Sequence, residues 1–341
     1  MLALPIIGGM MSQNVLNLVD TAMVGQLGDT ALAAAGIGSF TSFMANAVVL
    51  GLGTGVQAIA SRRIGEGKEH LAALPLNGGL MVALLVGLPL AAILWLLAPL
   101  FYPFLIDDPE VVEVGTEYFQ LRLLGIAAVG MNFSFRGFWN GVSLSWIYMR
   151  TLVVMHILNV FLNFGFIFGY FGMPEMGAPG AALGTTIAIW VGSLIYFLQA
   201  LKMARKNGFM SGLPTRETLG AMLRLAIPNS IQQLFFSGGL TMMFVIIGMV
   251  GTQEVAIANV LIQLTLVCIL PGMGFGLAAA TLVGRSLGRG DADDAEQWGW
   301  DVVKIAVGVL TLLGLPMLLF PSWILGVFLP NAELVQLGKV P

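Results

Sequence analysis

The sequence predicts an all-α membrane protein built from two pseudo-symmetric helical lobes, the second incomplete, with about nine transmembrane helices. Three observations predict it. Hydrophobic residues make up 57% of the 341 residues and charged residues only 10%, against roughly 25% charged in a soluble domain. The apolar residues gather in runs of about 20 or more, long enough to cross the hydrocarbon as helices and without the alternation of a membrane β-barrel strand. The chain also matches itself at one offset: Pro5 falls on Pro228, Gly25 on Gly248, Gly51 on Gly274, Arg62 on Arg285 and Gly65 on Gly288. Glycines alone could match by chance, but an arginine and a proline in the same register mark a true repeat.

The spans follow in order. The first, 3–25, lacks a basic start and continues through Asp20, so it reads as a retained helix rather than a signal peptide. Gln13, Asn17 and Asp20 share one face of it, flanked by Asn14 and Thr21. The second, 32–60, contains GLGTG at 51–55, which no strand precedes, so packing explains it better than a phosphate loop. A basic joint with Arg62, Arg63 and Lys68 leads to the third span, 76–100, and an acidic joint with Asp107, Asp108, Glu110 and Glu113 leads to the fourth, 117–139. Arg122 counts with the outer joint, and Arg136, at the inner end, reads as snorkelling to the headgroups. On the fifth span, 149–171, His156, Asn159 and Asn163 share a face, and the sixth, 179–203, brings Thr185 and Thr186 near its outer end. A joint with Lys202, Arg205, Lys206 and Arg216 precedes the seventh, 224–249, which carries Gln232, Gln233 and Ser237. The eighth, 255–283, carries Asn259, Gln263 and the single cysteine, Cys268, a packing residue with no disulfide partner in the chain. After the ninth, 302–328, Glu333 falls in register with Glu110, so a complete second lobe would need about three more helices.

Six spans separate the two copies, so both enter the membrane from one side and are parallel repeats about an axis along the membrane normal. With the amino terminus in the cytoplasm the basic joints lie inside, satisfying the positive-inside rule. The domains expected are an N-terminal lobe, 1–206, a cytoplasmic linker, 207–223, and a partial C-terminal lobe, 224–341. The basic residues stand singly beside helix ends and form no nucleic-acid patch. Without a Walker motif, zinc-type spacing or G-x-S-x-G, the chain reads as neither an ATP-driven pump nor an enzyme, and no cofactor is implied.

An ionised acid at mid-membrane costs roughly 2.5–3.5 kcal/mol on insertion scales, so Asp20 is a functional candidate by default. The amides, hydroxyls and His156 could bind a small cation, tune the acid, or simply tie helices together. Gln13, Asn17, His156, Gln232, Gln233 and Gln263 are the candidates to line a cavity between the lobes.

ALPIIGGMMSQNVLNLVDTAMVGQLGDTALAA at the start, YFGMPEMGAPGAALGTT at 170–186 and the repeat resemble the multidrug and toxic compound extrusion (MATE) transporters over essentially the whole chain. The resemblance implies an antiporter in the bacterial inner membrane, working as a monomer among lipids. It would export small organic compounds, often cationic and amphipathic, against inward H⁺ or Na⁺. It also implies a coupling site at Asp20, Asn159, Asn163 and Thr185, with Na⁺ at Asp20, Asn159 and Thr185. One branch of the family has an acid where Asn163 stands here, and another has one where Phe236 stands. A lipid or lipid-linked-precursor flippase is the alternative, expected to need a basic cavity where the mid-span set here is acidic or neutral. A non-transporting fragment is the other.

Overall fold

A computed structural model describes residues 2–328, and among them every regular element is helical. The helices are α1 (Ala3–Gly25), α2 (Asp29–Leu50), α3 (Leu52–Gly65), α4 (Leu74–Leu105), α5 (Pro109–Leu123) and α6 (Ile126–Gly141). Then follow α7 (Ser145–Phe168), α8 (Ala178–Met203), α9 (Arg216–Val250), α10 (Thr252–Gly288), α11 (Ala292–Leu319) and α12 (Pro321–Phe328). Among the described residues six helical stretches are apolar and long enough to cross a membrane: Asp29–Gly65, Glu69–Leu105, Ser145–Phe168, Ala178–Met203, Val260–Gly288 and Ala292–Leu319. Glu333, and Asn259 as a side chain, lie outside the described residues.

Three predicted spans are each two helices. The second divides into α2 and α3 at Gly51, where the Ser230 hydroxyl of α9 accepts from the Gly51 amide (3.2 Å) and donates to the Val48 carbonyl (3.0 Å). The fourth divides into α5 and α6 at Leu124–Gly125, where α8 repairs the backbone: the Trp190 indole donates to the Leu124 carbonyl and Thr186 to that of Leu121, both at 3.0 Å. A break inside lipid is tolerated only when neighbouring helices re-satisfy the freed groups in this way. The ninth ends α11 before Pro321, whose ring disfavours a helical residue ahead of it. Side-chain caps fix the starts of α5 and α11: Asp108 accepts from the Glu110 amide at 2.9 Å, with Pro109 beginning α5, and Asp291 accepts from that of Asp294.

The core of the first lobe is aromatic. Trp139, Phe135, Phe138, Tyr196, Tyr102 and Phe119 are fully buried, and Phe135 stacks on Tyr196 at 5.6 Å. By contrast α11 turns most of its apolar surface outward, as at Leu312 and Leu318.

At the 223-residue offset α10 is the counterpart of α2 and α3 together, starting opposite Asp29 and ending opposite Gly65. The two copies meet where they end. A Cβ on Gly65 would lie 2.0 Å from the Arg285 carbonyl oxygen, and one on Gly288 would lie 2.2 Å from that of Arg62. Neither glycine has a positive φ, so close approach of backbones is what requires them. Beside this crossing the buried Gln57 amide donates to the Leu277 carbonyl (2.6 Å) and the Thr281 hydroxyl (2.9 Å), while Thr281 donates to the Asn140 carbonyl.

Candidate functional site

The polar face of α1 lies against that of α7. The Asn163 side-chain NH₂ donates to Asp20 Oδ1 at 2.9 Å, and Asn159 donates to Thr185 Oγ1, also at 2.9 Å. The two asparagines, both buried, face each other one helical turn apart, and Thr185 in turn donates to the Ala181 carbonyl. Asp20, Asn163, Asn159 and Thr185 thus form one chain of hydrogen bonds across α1, α7 and α8. A second chain runs beside it. Ser12 meets His156 Nδ1 at 2.6 Å, His156 Nε2 meets Gln13 Oε1 at 3.2 Å, and Gln13 donates to Asn17. One neutral tautomer, with the proton on Nε2, satisfies both imidazole contacts.

Both chains open onto a cavity of about 650 Å³, a drug-sized space, lined by Gln13, Asn17, Asp20, His156, Asn159 and Thr185 among others. Asn163 stands behind Asp20, outside the lining. Among the described lining residues Asp20 is the one acid, and the apolar wall includes Phe43, Phe133, Met155, Ile189 and Leu270. Among the described residues Leu270 is the contribution of α10.

Three expectations are corrected. Gln232, Gln233 and Gln263 do not line this cavity: α9 and α10 turn Ser230, Leu277 and Thr281 toward the first lobe, leaving Gln232 and Gln263 exposed and Gln233 half-buried. Arg136 does not reach away to the headgroups. Its guanidinium lies over the Phe133 ring, 4.1 Å from the centroid, on the cavity wall. Nor is the cavity acidic or neutral, because Arg122 lines it too.

The amide orientations bear on which ion fits. Asn163 and Asn159 present NH₂ groups to Asp20 and Thr185, so the cluster donates hydrogen bonds to a carboxylate. A sodium ion needs oxygens, and both amides would have to turn to supply them. Among the described residues no three His, Cys, Asp or Glu side chains gather as metal ligands.

The family model for MatE matches residues 5–165 and 228–340, its two matches beginning at the paired prolines. The chain belongs to the MatE family. Relatives of this MatE chain include the probable multidrug resistance protein NorM of Rhizobium meliloti, 26% identical over 332 residues that cover 96% of this chain and 71% of that protein. The multidrug resistance protein NorM of Burkholderia vietnamiensis is 28% identical over 357 residues, 99% of this chain and 74% of that one. Among solved structures, a MOP superfamily transporter from Pyrococcus furiosus superposes with a TM-score of 0.88 at 24% identity, covering 99% of this chain and 75% of its own. An outward-facing MATE family multidrug resistance transporter gives 0.89 at 24%, with 99% and 76% covered. At such identity the structures show the shared fold. The chain is a multi-pass membrane transporter of the multidrug efflux type and not an enzyme.

Proposed function

We propose that this protein is an ion-coupled antiporter that expels small organic compounds, with Asp20 as the carboxylate that carries the coupling proton. The observation that supports it is the position of Asp20: among the described residues the lone acid on the wall of a drug-sized cavity, hydrogen-bonded from behind by Asn163. Protonated, the carboxyl is cheap to bury; ionised, it holds a positively charged group. Substrate and proton then occupy it alternately, which is the exclusivity an antiporter needs. The donor-presenting amides favour H⁺ over Na⁺ at this cluster. The cationic preference expected from the sequence covers only one of the cavity's two signs of charge.

The rest of the reading follows the repeat and the basic joints: a monomer in the bacterial inner membrane, amino terminus in the cytoplasm, nine spans, an N-terminal lobe at 1–206, a linker at 207–223 and a C-terminal lobe from 224. Drug efflux from proteoliposomes under an imposed pH gradient tests it. Asp20→Asn imitates the protonated carboxyl at nearly constant size, so the protein should fold while efflux falls to the rate seen without a gradient. Undiminished driven efflux at normal protein levels removes the carboxylate from the mechanism.

A further inference from the structure

A second cavity, of about 400 Å³, shares no lining residue with the one described above. Leu80, Met81 and Leu84 of α4, Met131 of α6 and Phe197 of α8 form its apolar wall, and Met210 of the connection between the lobes completes it. It runs from Asn77, near the start of α4, to Leu84, about 10 Å deeper at the rise of a helix. Leu85 and Leu88 on α4 and Leu194 and Leu198 on α8 flank it with exposed apolar surface, so the groove opens to hydrocarbon rather than to water. Three of its six apolar side chains are methionines, which re-pack readily around an irregular chain.

The connection is held over this groove by specific contacts. Asn77 accepts from the Met210 amide (3.1 Å) and donates to the carbonyls of Gly208 (3.0 Å) and Gly212 (2.7 Å), while the Phe209 ring lies 5.5 Å from that of Phe197. They keep Met210 at a φ of 58°, a left-handed conformation that a bulky residue holds only where its surroundings over-determine it. The end of the groove so covered is the basic one. Lys202 lies in the last turn of α8, and Arg205 and Lys206 form the turn that follows, all three exposed. Among the described residues none of the three enters an ion pair, and the acids nearby in the chain and the fold, Glu217 and Glu69, do not engage them. An apolar groove that opens to hydrocarbon and ends beneath unpaired cations is the complement of an acyl chain with an anionic head.

We propose that this groove seats one acyl chain of an anionic phospholipid, drawn from the leaflet that meets the basic joints, with the phosphate of its head against Lys202, Arg205 and Lys206. A neutral lipid would fill the groove and leave the cations unmet, whereas a soluble anion would meet the cations and leave the groove unfilled. The lipid touches α4, α8 and the connection at once, and so splints the joint between the lobes.

Native mass spectrometry of the purified chain, titrated in detergent with phosphatidylglycerol, phosphatidylcholine or glycerophosphoglycerol, reads the affinity of the first molecule bound. Phosphatidylglycerol should bind at least about tenfold more tightly than phosphatidylcholine, the scale of two basic side chains at an anionic head, and the tail-less glycerophosphoglycerol should give no adduct. Lys202→Gln, Arg205→Gln and Lys206→Gln together should bring phosphatidylglycerol down to the level of phosphatidylcholine and leave the latter unchanged. Gly212→Trp should weaken both lipids, because Gly212 lines the groove and a Cβ there would meet nothing within 4 Å, so the ring enters open space. Both variants should melt like the parent without lipid. The triple variant changes exposed side chains only, so it decides the matter by itself if Gly212→Trp folds poorly. Equal first affinities for the two lipids, or a phosphatidylglycerol preference that survives the triple variant, overturns the site. Undiminished binding of both lipids by a Gly212→Trp protein that melts like the parent overturns it as well, and so does glycerophosphoglycerol binding as tightly as the whole lipid, which leaves a surface anion site without a groove.

Discussion

Gly65→Ala tests whether the two lobes meet backbone to backbone. The added Cβ would lie 2.0 Å from the Arg285 carbonyl oxygen, and Cβ atoms essentially never approach a heavy atom within 3.0 Å, so the helices must part by about 1 Å. The obstacle is a helical carbonyl, which cannot swing aside as a long side chain can. Overpacking of this kind costs about 1–3 kcal/mol, from which alanine's better helix propensity recovers at most about 1 kcal/mol. Gly276→Ala is the control, because nothing lies within 4 Å of its Cβ position and only the propensity gain remains. Thermal unfolding of the purified protein in one detergent should therefore place Gly65→Ala below the parent and Gly276→Ala at or above it. Gly288→Ala, against the Arg62 carbonyl, should match Gly65→Ala. The double variant should lose less than the two single losses combined, since a gap opened for one methyl admits the other, a coupling of about 0.5–3 kcal/mol. A Gly65→Ala protein as stable as Gly276→Ala, or strict additivity in the double variant, refutes the reciprocal crossing.

Three further outcomes are expected. Asn163→Asp places a second carboxylate beside Asp20 and should strengthen efflux driven by a sodium gradient in proteoliposomes; an unchanged sodium response counts against cation binding there. Burial alone would push the Glu66 carboxyl up, but hydrogen bonds from Lys68 and Arg63, at 3.1 and 2.9 Å, outweigh it and hold the group below its ordinary 4.5. A carboxyl depressed by folding stabilises above its unfolded value and stops doing so as pH falls through its folded one. The melting deficit of Glu66→Gln should therefore be present at neutral pH and close as the pH drops below 4.5, and a deficit independent of pH would contradict the sign. Asn77 donates to the carbonyls of Gly208 (3.0 Å) and Gly212 (2.7 Å) and accepts from the Met210 amide (3.1 Å), pinning the connection between the lobes to α4. Asn77→Ala should cost about 1–3 kcal/mol and speed limited proteolysis at 208–214; an unchanged cleavage rate would mean that the connection is held elsewhere.

The polar faces were legible because spacing alone sets them. Gln13, Asn17 and Asp20 on one helix and His156, Asn159 and Asn163 on another lie on single faces whatever the helices pack against. The breaks were not legible, since continuous hydropathy runs through Gly51 and Gly125, and what makes a broken helix tolerable comes from far along the chain, in Ser230, Thr186 and Trp190. The two cavity arginines were misread for a related reason. Proximity to a helix end is visible in the sequence, but whether the side chain turns outward or inward depends on how neighbouring helices rotate it. Ser12, which meets His156, is an ordinary serine until α7 is laid beside it. The glutamines of α9 and α10 were the opposite error, polar residues on the right helices but the wrong side of them.

The crossing of the two repeats is made of carbonyls, glycines, a glutamine amide and a threonine hydroxyl. A titratable group sits beside them: the Glu66 amide lies 3.0 Å from a Cβ on Gly288, and its carboxyl, held below its ordinary 4.5 by Arg63 and Lys68, stays ionised near neutral pH. α10 runs from this seam, at Gly288, to the cavity wall, at Leu270, and α9 packs on α3 beside it, with the Met222 carbonyl against Gly55. Seam and cavity are thus built from different residues. A substitution at Asp20 or Asn163 leaves the seam's contacts in place, and a methyl group on Gly65 parts the seam without touching the cavity wall.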